Sequence, residues 1–94
     1  MSGVFFLLIR MQLPNLSPAA ESALLVSVLR TFLTQENRSM IIPYIEGIRV
    51  TPMHLILLVT SPIAKSEITI LLPQLNSLFK GLGYQQNIKT RLIQ

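Results

Sequence analysis

The stretch HLILLVTSPIAKSEITILLPQLNSLFKGLG, residues 54–83, decides how the whole chain reads. Its opening run of Leu, Ile and Val is nearly unbroken, as in a strand covered on both faces and so central in its sheet. Ser61-Pro62 then opens a helix. A serine hydroxyl accepts a free backbone N–H at the N-cap, and proline at the first helical position gives up no needed donor. Lys80 suits the negative end of that helix, and Gly81 or Gly83 can supply a left-handed cap. Pro73 interrupts the pattern, where it costs about 3 kcal/mol or bends the chain. Ile68, Thr69 and Ile70 favour a strand. Two readings follow: one kinked helix ending near Lys80, or a short strand at 67–72 with a helix only from Pro73 to Leu82.

An approximate internal repeat favours the longer helix. Ser17-Pro18-Ala19-Ala20-Glu21-Ser22 and Ser61-Pro62-Ile63-Ala64-Lys65-Ser66 each follow an apolar run and precede a Leu-rich segment. The first copy predicts a helix ending near Glu36. Leu25, Val28, Leu29, Phe32 and Leu33 form its apolar stripe, and Glu21 lies at its positive end. Asn37-Arg38-Ser39 is a polar loop. Val4 to Leu13 alternates as a strand, with Phe5, Leu7, Ile9, Met11 and Leu13 on one face. Met40 to Thr51 is a second strand, placed at an edge because Pro43 lacks a ladder donor. Gly47 breaks its alternation and predicts a bulge or bend. Thr51-Pro52-Met53 is a tight connection to the strand His54 to Thr60. Gln85 to Gln94 closes the chain as a fourth strand.

The order strand, helix, strand, strand, helix, strand is the split β-α-β pattern. Over essentially the whole chain it resembles the ferredoxin-like fold, an α+β architecture (βαββαβ). The resemblance implies one domain over residues 1–94. It also implies a four-stranded antiparallel sheet in the order 4-1-3-2, with two helices on one face. It is a resemblance to a fold and supplies no function.

The helix-free face should then carry Phe6, Leu8 and Arg10 from the first strand and Ile56 and Leu58 from the third. Lys89 and Arg91 come from the fourth, with Tyr44 and Arg49 from the second. Half of the 94 residues are apolar and 13% are charged, against about 25% charged in an ordinary domain. That excludes intrinsic disorder and leaves apolar surface that meets another chain. The first reading is therefore a non-enzymatic interaction module, a homodimer or a subunit of an assembly, anchored by Phe6, Leu8, Ile56 and Leu58. A net charge of +4 with eight basic residues permits a second reading, RNA or DNA binding through Arg10, Arg49, Lys89 and Arg91. A third places a small-ligand or enzymatic site across a dimer interface, using Tyr44, Glu46 and His54.

No catalytic, metal or cofactor site is expected. There is no cysteine and a single histidine, so thiolate chemistry is excluded and a His-based metal site is not supported. The four acids are all Glu, spread over separate elements, so no carboxylate pair is set up for acid–base work. No apolar run reaches the roughly 18–20 residues that cross a bilayer. The start lacks a basic n-region, so the expected location is cytoplasmic, without membrane insertion.

Overall fold

The computed structural model describes residues 17–93. Helix α1 (Pro18–Gln35) leads through a 3-10 segment (Ser39–Tyr44) to strands β1 (Ile45–Val50) and β2 (His54–Val59). Helix α2 (Pro62–Gly81) and strand β3 (Asn87–Leu92) complete the order. The strand expected at Val4 to Leu13, with Phe6, Leu8 and Arg10, lies outside the described residues.

Both helices begin and end by the same local chemistry. The Ser17 and Ser61 hydroxyls accept from the amides of Ala20 and Ala64, at 3.2 and 3.4 Å. At the C-terminus of α1 the Arg38 amide bonds the Leu33 carbonyl and the Asn37 amide the Thr34 carbonyl, with Asn37 at φ 59°. At the end of α2 the Tyr84 and Gly83 amides bond Phe79 and Lys80, with Gly83 at φ 104°. Each is a Schellman closure whose left-handed residue suits Asn or Gly. Pro73 lies inside α2 on its exposed side. The longer of the two helical readings is the one observed.

β1 and β2 pair antiparallel, and β2 pairs with β3 in parallel, giving a three-stranded sheet in the order β1-β2-β3. This overturns the four-stranded antiparallel ferredoxin-like sheet, although the α+β class holds. In the 4-1-3-2 order, residues 4–13 would separate 54–59 from 87–92. Here those two strands bond each other directly, Leu55 opposite Ile88 and Leu57 opposite Thr90. With β1 on its other side, β2 has no edge left for another strand, and the slot does not exist. The second strand is also shorter than expected. Pro43 belongs to the 3-10 segment, where its fixed φ fits, and pairing starts only at Ile45. The bulge expected at Gly47 is present as a register shift between Ile45 and Gly47. It lets Ile45 and Ile48, three apart, both turn inward.

One core joins all the elements. Leu55, Leu57 and Val59 of β2, Ile48 of β1 and Ile88 of β3 meet Leu25, Val28, Leu29 and Leu33 of α1. They also meet Ala64, Ile68, Leu75 and Phe79 of α2. Alternation puts those strand residues on one side of the sheet, so both helices cover the same face. No charged side chain is buried among the described residues.

Side-chain bonds tie the elements together. The Ser22 hydroxyl donates to the Ile48 carbonyl at 2.5 Å, fixing α1 to β1. The Asn76 carbonyl oxygen accepts the Ile88 amide at 3.0 Å, fixing α2 to β3. Gln86 Nε2 reaches the Thr51 carbonyl at 2.9 Å. Arg38 Nε and Glu67 Oε1 lie 2.8 Å apart, holding the 3-10 segment to α2.

Candidate functional site

Among the described residues both helices lie on one side of the sheet, which leaves its other side free of helix and sets it apart as a surface. Strand register places its residues in rows. Arg49 of β1 stands opposite Ile56 of β2, which stands opposite Lys89 of β3. In the next row Gly47 faces Leu58, which faces Arg91. His54 and Asn87 begin a third. Neighbours across such rows are about 4.8 Å apart. Ile56 and Leu58 thus form a short apolar strip on the central strand, and Arg49, Lys89 and Arg91 flank it.

Gly47 shapes this surface by having no side chain. A Cβ built there would meet nothing within 4 Å, so Leu58 has open space on its β1 side. Arg49, Leu58, Arg91, Leu92 and Ile93 line a shallow depression of about 420 Å³. No acid is among them. Glu46 is exposed on the bulge at one end of β1.

The structure therefore brings Ile56, Leu58, Arg49, Lys89 and Arg91 together on one face, and Phe6, Leu8 and Arg10 lie outside the described residues. It does not gather Tyr44, Glu46 and His54 within one chain. Tyr44 and Glu46 sit where β1 begins, beside the end of β2, whereas His54 begins β2. Five residues of strand, about 17 Å, separate the two ends. His54 is fastened structurally instead: its amide bonds Thr51 Oγ1, and its carbonyl accepts from the Thr51 amide and hydroxyl, all at 2.9 Å. Among the described residues no group of three or more His, Asp or Glu could hold a metal ion. No described helix is long and apolar enough to cross a membrane.

A polar contact beneath α1 escaped the sequence reading. Tyr84, 8% exposed, donates its phenol hydrogen to Glu21. Burial first, then the hydrogen bond and the negative charge of Glu21, hold the phenol protonated well above the usual tyrosine range. Glu21 carried a sequence signal only as a first-turn acid, and nothing local links it to a residue 63 positions away.

No family model matches the chain, no curated protein matches it, and no solved structure matches it.

Proposed function

We propose that this chain is an interaction module that docks a protein partner on the helix-free face of its sheet. The observation that carries the reading is the Ile56–Leu58 strip framed by Arg49, Lys89 and Arg91. Apolar side chains in the middle of a contact supply affinity, and charges at its rim select the partner and speed the encounter. The frame has one sign, so the fitting partner carries carboxylates around an apolar spot. A second copy laid face to face would set cation against cation, an arrangement that costs free energy. Three strands of six residues span a patch of about 14 by 20 Å. That is less than the roughly 800 Å² per partner of a standard interface, so the contact is transient unless it extends beyond the sheet.

The test is site-specific photocrosslinking of the full chain in cells, with benzoylphenylalanine at Leu58 or Arg49 and at the exposed helix position Ser77 as control. Leu58 and Arg49 should capture the same protein, and Ser77 should not. The purified partner should then bind the wild-type chain and lose binding to Leu58→Glu and Arg91→Glu. Equal capture from all three positions, or reconstituted binding indifferent to both substitutions, refutes the reading.

Three cations on one face also support a nucleic-acid reading. It is the weaker one, because base stacking needs aromatics on the central strand, and β2 offers Ile56 and Leu58. Salt separates the cases. Nucleic-acid binding falls steeply with added salt, whereas self-association through this face would rise as its like charges are screened.

A further inference from the structure

We infer that the outer edge of β3 takes an extended, acidic segment of the partner protein as an added strand. This rests on the docking reading above and names the partner's chemistry.

The two edges of the sheet differ. Along β1 the bulge at Glu46–Gly47 breaks the register, and the Ser22 hydroxyl already occupies the Ile48 carbonyl. Bulges and covered backbone groups are how sheets blunt an edge against strand addition. Among the described residues, β3 has neither defence over its C-terminal half. Its register with β2 is unbroken for six residues. The Ile93 amide bonds Val59 of the β2 side at 2.8 Å, so odd-numbered residues of β3 point their backbone groups inward. Even-numbered residues point outward. Of these, the Ile88 amide is taken by Asn76. The outward groups of Thr90 and Leu92 have no strand partner among the described residues.

The charge beside this edge selects the occupant. A depression of about 530 Å³ along β3 is lined by Ile56, Lys65, Lys89, Thr90, Arg91 and Leu92. Three of the six are cations and none is an acid. Lys89 and Arg91 are two apart and share the helix-free face. A strand added alongside would set alternate side chains opposite them, and carboxylates at that spacing would pair with both. Its intervening residues would turn toward Leu92 and α2, where apolar side chains fit. Main-chain bonds supply the affinity and the alternating side chains the specificity, as in strand addition generally.

The probe is a blocked octapeptide of alternating Glu and Val, titrated into the full chain and followed by amide NMR and hydrogen exchange. At saturation the Thr90 and Leu92 amides should exchange at least about tenfold more slowly. A version N-methylated on alternate amides keeps the charges but cannot pair, and it should not bind. Thr90→Pro removes an outward N–H while leaving the bonds to β2, as an edge position tolerates, and it should abolish binding. If that variant fails to fold, the N-methylated peptide still decides. Lys89→Glu with Arg91→Glu should weaken binding by about tenfold or more.

The inference is overturned if the octapeptide does not bind, or if the N-methylated version binds equally. It also falls if an oligouridylate shifts Lys89 and Arg91 while the octapeptide does not. Shifts at Ile56 and Leu58 without protection of Thr90 and Leu92 would remove the added strand and leave face docking standing. Face docking itself is judged separately, by the crosslinking and by the binding of the Leu58→Glu and Arg91→Glu variants.

Discussion

Replacing Tyr84 by phenylalanine should lower stability at neutral pH and leave no deficit in strong base. At pH 7 the variant loses a hydrogen bond from a buried phenol to Glu21. A bond to a charged acceptor contributes about 1.5–3 kcal/mol, and the half-buried Glu21 regains part of that from water. The wild type should thus lead by about 1.5 kcal/mol.

Alkali removes the lead. The phenol pKa is raised in the folded chain, by burial first and by Glu21 second, while in the unfolded chain it lies near 10. Below about pH 10 both states hold the proton, and the contribution is fully present. Above it the unfolded chain releases the proton and the folded chain keeps it. Stability then falls with rising pH, by about 1.4 kcal/mol per unit. Near pH 11 that loss cancels the neutral-pH lead. Urea denaturation followed by far-ultraviolet circular dichroism from pH 7 to pH 11.5 would show it. All other ionisable groups are common to both proteins, so the difference isolates Tyr84. Wild-type and Tyr84→Phe curves that stay parallel across this range would refute the contact.

Four further substitutions are read by the same denaturation measurement. Pro73→Ala restores a helical donor at an exposed position of α2 and should stabilise the chain by about 1–3 kcal/mol; a loss would mean that the proline itself is needed for packing. Ser61→Ala removes the α2 N-cap and should cost about 1 kcal/mol. Leu75→Ala empties a fully buried site and should cost about 2–5 kcal/mol, while Leu58→Glu, on the helix-free face, should change stability far less than it changes binding.

What the sequence revealed follows how local each feature is. The Ser-Pro openings, the turn at Asn37, the glycine closure after α2 and the bulge at Gly47 are decided within a few residues, and all were legible. Period-two alternation likewise put Ile56 and Leu58 on one face with Lys89 and Arg91. The sheet order was not legible. A helix crossover from β2 to β3 fits direct neighbours as well as strands one place apart, and only register across some 33 positions chooses between them. The resemblance to the ferredoxin-like fold supplied the spaced arrangement, because it rests on the order of elements, which says nothing about which strands pair. Pro43 is ambiguous in a smaller way: a proline suits an edge strand, yet its φ also fits the 3-10 turn that precedes β1. The pairing of Tyr84 with Glu21 and the outward carbonyls and amides of β3 depend on packing, which no spacing encodes.

The direct parallel pairing of β2 with β3 has a mechanical consequence. Tension on the chain's two ends reaches β2 at His54, through the hairpin turn, and β3 at Leu92. In a parallel pair these points lie at opposite ends, so every bond of that ladder resists together, in shear. β1 is antiparallel to β2 and is pulled from Ile45, beside the end at which β3 is held, so it unzips one bond after another. Stretched in an optical trap, the protein should shed α1 and β1 at low force. The unit from His54 to Leu92 should then yield in a single, higher rupture.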